Sequence, residues 1–498
     1  MQHFVKLRLR AVLLFLQVQR GVPIPARIFI TALVAGAGLL VALPAAFAHT
    51  ADRGFVMLLP TGYYLFGGAA AVALSFAVLV VMPPAALAAL FATRLRLVAR
   101  PVDGRLFTST VSFLIVACLW FAGLFGSRDP LSNPLPLVFW TVFWVGFTLL
   151  VGLRGNLWRW LEPWYGPSRL ILKAIGRADA SPPLILPERL GHAGALILLF
   201  GFGWFELVSL SPDDPALLAK VLIGYWVFNL AGTLAFGHTA WTGRVELFSV
   251  LFSMIGKLAP FQRETDSDGR QALFLRFPGG GLQGAQPLTR GATLFLLLAL
   301  ATVSFDGLMR TFFWLGLIGV NPLEFPGRSA VVLANTAGLA GMFAALSALF
   351  VFAVWLGNRI AGSGASLATS CGLLVWSILP IALAYHFSHY LGVLVINGQY
   401  ALAAISDPLS NGWNIFGTAG FHVAAAATAG YDAAWIIWNL QSAAIIGGHL
   451  IAVMIAHALA FRIYGSARQA ALSQIPLAIL MVGYTAFGLW LLSSPTGG

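Results

Sequence analysis

Two imidazoles, His386 and His389, stand three residues apart in Tyr385-His386-Phe387-Ser388-His389-Tyr390, inside a run apolar enough to cross a bilayer. On a helix that spacing places both rings on one face in neighbouring turns, which suits two nitrogen ligands aimed at one point. Ionisable groups at membrane depth are costly, and they are functional candidates for that reason. Similar runs hold Glu206, in Gly203-Trp204-Phe205-Glu206, and Asp306, in Ser304-Phe305-Asp306-Gly307. Imidazoles joined by one or two carboxylates, with coordination positions left open, suit Zn, Mn, Fe or Cu. A metal so held would lower the pKa of its bound water to about 7 and supply a hydroxide. A carboxylate left uncoordinated would orient that water or accept its proton. The candidate set is therefore His386 and His389 as metal ligands, His449 and His49 as accessory ligands, and Asp306 and Glu206 as third ligand or catalytic base.

The same residue types admit other readings. Each histidine could hydrogen-bond a neighbouring helix and tie a bundle together. His389 and His449 on adjacent helices could clamp a haem, although no second pair offers a two-haem ladder and no CxxCH occurs. A transporter would explain the Gly-rich spans and the polar Asn229 and Asn335 at depth, although no inverted repeat is visible.

The elements that must position these groups follow from composition. Hydrophobic residues make up 59% of the chain and charged ones 9%, where soluble domains carry about a quarter. With a mean hydropathy of +0.86 and repeated apolar runs of about 20 residues, the expected fold is all-α, a polytopic transmembrane helix bundle. The net charge of +12 sits in short Lys/Arg clusters between apolar runs, which argues for membrane topology and against nucleic acid. Cys118 and Cys371 lie inside apolar runs and read as packing residues.

Residues 1–27 carry five cations and no acid, and an apolar run then closes on Ala46-Phe47-Ala48. Segment 28–48 thus reads as a signal anchor or a signal peptide, and cleavage would make His49 an N-terminus. The multi-span domain is 49–498. Its spans are expected near 64–91, 108–126, 135–153, 190–210, 216–237, 291–309, 329–356, 367–395, 434–459 and 475–494, about eleven with the first. Basic loops around 94–105, 154–189, 244–290, 359 and 462–468 alternate with basic-poor loops at 127–134, 211–215 and 396–433. The positive-inside rule then sets the N-terminus inside and the C-terminus outside; only the 310–328 loop is uninformative. Interfacial segments are expected near 155–175, where Trp158, Trp160, Trp164 and Tyr165 resemble an aromatic belt, and near 245–258.

This topology gives each polar group a side. His386, His389, Glu206, Asp306, His49 and His422 fall toward the outer face, with His449 nearer mid-membrane. His192, His238 and His457 fall toward the inner face and read as structural.

The motifs Gly123-Leu124-Phe125-Gly126-Ser127, Phe143-Trp144-Val145-Gly146, Pro187-Glu188-Arg189-Leu190-Gly191, Trp204-Phe205-Glu206-Leu207, Ser304-Phe305-Asp306-Gly307, Ser406-Asp407-Pro408 and Gly412-Trp413 resemble a bacterial membrane-protein family commonly named fenitrothion hydrolase. The likeness covers most of the chain after about residue 49. It implies a bacterial inner-membrane protein that hydrolyses an apolar organophosphorus (thio)phosphate triester to a diester with release of a nitrophenol, chemistry that the metal-bound hydroxide inferred above would supply by attack on phosphorus. The partners implied are the lipid bilayer and that apolar small-molecule substrate.

Overall fold

The computed structural model describes residues 59–99, 104–265, 271–325, 327–428 and 430–496. The basic segment 1–27, the anchor or signal peptide at 28–48 and His49 lie outside the described residues. The first elements are α1 (Thr61–Val81), α2 (Pro84–Ala92), β1 (Arg94–Ala99), α3 (Arg105–Phe125) and α4 (Pro134–Arg154). There follow α5 (Trp158–Leu161), α6 (Tyr165–Ala174), α7 (Ala193–Leu207), α8 (Pro215–Phe236), α9 (His238–Arg244) and α10 (Leu247–Ile255). A hairpin of β2 (Phe261–Thr265) and β3 (Gln271–Arg276) leads to α11 (Arg290–Met309) and α12 (Phe312–Leu317). The chain ends with α13 (Arg328–Ile360), α14 (Leu367–Ser406), α15 (Tyr431–Tyr464) and α16 (Ala467–Ser493).

Among the described residues nine helices are long and apolar enough to cross a membrane: α1, α3, α4, α8, α11, α13, α14, α15 and α16. The expected span at 190–210 is α7, whose 15 residues rise only about 22 Å against a hydrocarbon core of about 30 Å. The expected span at 64–91 breaks into α1 and α2 at Met82-Pro83-Pro84, because proline offers no N–H to continue the helix. Polar caps fix several starts. Thr289 accepts from the Ala292 amide at α11, Ser366 from Thr369 at α14, and Asp214 from Leu217 at α8, where Pro215 fills the first helical position.

The centre of the bundle is α11. Of its apolar window 83% is buried, against 22% for α1 and for α3. It packs on α7, α13 and α14; α14 in turn packs on α4 and α15, and α16 rests on α15, α13 and α1. Within α4, residues Leu137–Phe147 wind as a π-helix, an unusually long stretch of a rare form. Phe139, Phe143 and Phe147 consequently stack as a ladder, with successive centroids 5.8 Å apart.

The two segments expected at the interface carry buried side chains: Trp158 and Trp164 in the first, and Leu247, Phe248, Val250, Leu251, Phe252, Met254 and Ile255 of α10 in the second, while Leu170, Ile171 and Ile175 of the first stay exposed. The buried members are apolar and aromatic and fill space between helices.

The basic loops also hold a small sheet that the all-helical expectation lacked. Its antiparallel order is β1-β3-β2, and Arg276 and Arg94 both pair with Glu264. The sheet joins the loop after α2 to the loop before α11, and Arg105 at the start of α3 pairs with Glu162. These basic segments therefore share one face. On the opposite face Arg128 pairs with Asp214, and the Trp140 indole donates to the Pro212 carbonyl.

Small residues permit the closest helix crossings. A Cβ on Gly357 of α13 would stand 2.2 Å from the Ser473 carbonyl oxygen of α16, whereas nothing lies within 4 Å of one on Gly341. Gly357→Ala should cost about 1–3 kcal/mol through overpacking, read as a lowered unfolding temperature in detergent, while Gly341→Ala leaves it unchanged or raised.

Candidate functional site

Near the C-terminal ends of α7 and α11, at the face away from the basic loops, four side chains meet. Glu206 comes from α7, Asp306 from α11, and His389 and Tyr390 from α14. The Tyr390 Oη lies 2.8 Å from Glu206 Oε1 and 2.7 Å from Asp306 Oδ2. His389 Nε2 is 2.8 Å from the same Asp306 oxygen. The Trp144 indole of α4 donates to Glu206 Oε1 at 3.0 Å. Above the group, Arg328 at the start of α13 donates to the carbonyls of Glu206 (3.1 Å) and Ser209 (3.0 Å), capping the end of α7.

The hydrogens can be counted. A phenol has one, so Tyr390 can donate to only one of the two carboxylates. A second contact of 2.7–2.8 Å between oxygens needs its own hydrogen, and the only candidate is a carboxyl proton. Asp306 already faces His389, a donor, so the arrangement is satisfied when Glu206 carries the proton. The resulting chain runs from Glu206 carboxyl to Tyr390 to Asp306 carboxylate to His389. Asp306 is buried, and its Oδ1 makes no hydrogen bond, so a second negative charge beside it would be offset only at longer range, by Arg310 and Arg328. Glu246 shows the contrast. It accepts from the Phe248 and Ser249 amides, from the Tyr225 hydroxyl and weakly from the Trp158 indole, and needs no proton of its own.

The structure separates the HxxH pair. His386 and His389 flank the Tyr390 ring, with centroids 4.9 and 4.8 Å from it. His386 Nε2 lies 3.1 Å from the Trp144 carbonyl, which the π-helical turn leaves open to side chains and which also accepts from the Thr148 hydroxyl. A carbonyl only accepts, so that nitrogen carries a hydrogen. His449 lies apart on α15, its Nδ1 held by the Ile445 carbonyl at 2.8 Å, and His49 is outside the described residues. Among the described residues no group of three or more His, Cys, Asp or Glu side chains is placed to hold a metal ion. Nε2 of His386 and of His389 is engaged by the Trp144 carbonyl and by Asp306, which leaves Nδ1 as the second ring nitrogen of each.

Sequence reasoning brought Glu206, Asp306 and His389 to one face but gave Tyr390 no role. The signal was present, since Tyr390 adjoins His389 in the same motif. It also missed a second cluster at the basic face. There the buried Glu162 receives Arg105, His238 Nε2 at 2.6 Å, and the Ser249 hydroxyl at 3.3 Å. His238 is thus part of an ion cluster, whereas His192 meets Thr289 and His422 is exposed in the loop before α15.

No family model, curated protein or solved structure matches this chain.

The hydrogen count has a spectroscopic consequence. At neutral pH the infrared spectrum should contain a protonated carboxylic acid C=O band, absent from Glu206→Gln; a wild-type spectrum without it would refute the shared-proton arrangement.

Proposed function

We propose that this chain is a proton-coupled membrane transporter whose proton-exchange centre is Glu206, Tyr390, Asp306 and His389. One observation carries the reading: a single Tyr390 hydroxyl within hydrogen-bond distance of two carboxylates in an apolar interior. When the Glu206 proton passes to the Tyr390 oxygen and the Tyr390 proton passes to Asp306, one proton has moved and the phenol is unchanged. His389 then takes the proton from Asp306, or gives one back, across its 2.8 Å contact.

The adjoining cavity supports protons over bulky substrates. Glu206, His386 and Tyr390 line a space of about 50 Å³, together with Trp144 and apolar residues of α7, α11 and α14. Liquid water occupies about 30 Å³ per molecule, so the space suits one or two waters. Moving a proton changes the charge held between α7, α11 and α14, and so the free energy of packing these helices together. Interruptions where such helices bend are present: the short α7, the π-helical stretch of α4, and a 3-10 turn at Val375–Ser377 within α14. With the basic face in the cytoplasm of a bacterial inner membrane, the centre faces the opposite side.

The carboxylate pair could also position a water for attack on phosphorus, so turnover discriminates the hydrolytic reading. In proteoliposomes carrying a pH-sensitive dye, wild type should pass protons under an imposed gradient. Glu206→Gln and Asp306→Asn should slow that flux about 100-fold, as loss of an acid–base group does. Flux in both variants equal to wild type overturns the proposal. Thiophosphate triester turnover lost in Glu206→Gln, with stoichiometric metal lost in His389→Ala, would establish the hydrolase in its place.

A further inference from the structure

Met82 and Pro83 are extended, with ψ of 130° and 134°, so α2 does not continue α1. Between α2 and the last turns of α15 lies a groove of about 470 Å³, at the face of the basic loops. Leu87 and Phe91 of α2 form one wall, Ile455 and Leu459 of α15 the other, and Leu282 of the linker after β3 lies at the floor. A Cβ on Gly279 (φ 85°) would stand 2.7 Å from Ile455 Cδ1, so the linker passes this close to α15 only because the residue has none. Gln283 ties the linker to α2 by donating to the Ala88 carbonyl at 3.0 Å. One end of this apolar groove is charged. Arg462 lines it, and its Nη2 donates to the Ala285 carbonyl at 2.9 Å, which holds the guanidinium in place. Among the described residues Arg462 has no carboxylate within 4 Å. By contrast, a space of about 400 Å³ beside α4, α14 and α15 is lined by apolar residues alone.

We propose that this groove binds an anionic phospholipid, with one acyl chain between α2 and α15 and the headgroup phosphate on Arg462. From Ile455 to Arg462 the helix rises about 10 Å, so a chain leaving the charged end runs along two turns of apolar wall. A guanidinium held by one nitrogen keeps further donors for phosphate oxygens. Anionic headgroups also gather where the basic residues of a membrane protein are concentrated. A zwitterionic lipid would fill the same walls but bring a second cation to Arg462, so it is the poorer occupant. A soluble anion would reach the guanidinium and leave the walls unfilled. The site stands at the face opposite the proton-exchange group and is independent of it.

The test uses the full-length protein, stripped of lipid in detergent, and native mass spectrometry. Phosphatidylglycerol and phosphatidylcholine with identical acyl chains are added at equal concentration. The first lipid retained should be phosphatidylglycerol, favoured about 5-fold, the effect of one cation near a headgroup. Arg462→Gln should remove that preference. Ala88→Trp puts a ring into the groove from an exposed position and leaves the guanidinium in place. It should remove the preference as well, which keeps the test decisive if Arg462→Gln does not fold. Hexadecyl phosphate should displace the lipid, whereas inorganic phosphate at the same concentration should not. Equal retention of the two lipids by wild type overturns the proposal. So does a preference that survives in folded Arg462→Gln or in folded Ala88→Trp, or displacement by inorganic phosphate, which would make Arg462 a site for free anions.

Discussion

A phenol has one hydrogen, and Tyr390 stands between two carboxylates with it. In water the second carboxylate would turn to solvent. Here Asp306 is buried on the most enclosed helix of the bundle, and Glu206 is held by the Trp144 indole. Two anions sharing one site in an apolar medium repel each other strongly, so the group closes only around an extra proton. That requirement ties three helices together. Were α7, α11 or α14 displaced by one turn, Glu206, Asp306 or Tyr390 would leave the group, and the remaining polar atoms would lack partners.

The neighbouring architecture meets this requirement in specific ways. Arg328 gathers the last carbonyls of α7, where the helix dipole favours a cation, and so fixes the end of the helix that carries Glu206. The π-helical turn of α4 opens the Trp144 carbonyl to His386 while its indole reaches Glu206. One residue of α4 thereby anchors both His386 and Glu206. On the other side of the same stretch the widened turn aligns Phe139, Phe143 and Phe147, so one backbone irregularity shapes a polar pocket and an aromatic one.

Much of this was legible in the sequence. Hydropathy locates most of the spans, because a bilayer leaves a helix little choice but to be long and apolar. The alternation of basic loops correctly groups the segments that meet in the β1-β3-β2 sheet and around Glu162. Glu206 and Asp306 stand out as acids in apolar runs, and topology places them at one end. The spacing of His386 and His389 puts them on one helical face but does not fix where each ring points. They flank the adjoining Tyr390 ring, and the Trp144 carbonyl and Asp306, both distant in sequence, hold their Nε2 atoms. Trp158 and Trp164 likewise read as an interfacial belt, since sequence shows amphipathic residues but not which helices close over them. Glu162 sits in a short aromatic-rich connection between α5 and α6, and its partner Arg105 lies 57 residues earlier.

The two buried acid clusters differ in a way that bears on motion. Glu162 is met by a guanidinium, an imidazole and a hydroxyl, so its charge is matched and nothing is gained by rearrangement. Glu206 and Asp306 are short of hydrogens by one, and the state of the group depends on a proton that can come and go. The Glu162 cluster is therefore electrostatically matched, whereas the Glu206–Asp306 group is the one whose charge the proposed proton would change. Under that proposal rearrangement would centre on the ends of α7 and α11 and the middle of α14, with the sheet and the Glu162 cluster as the frame.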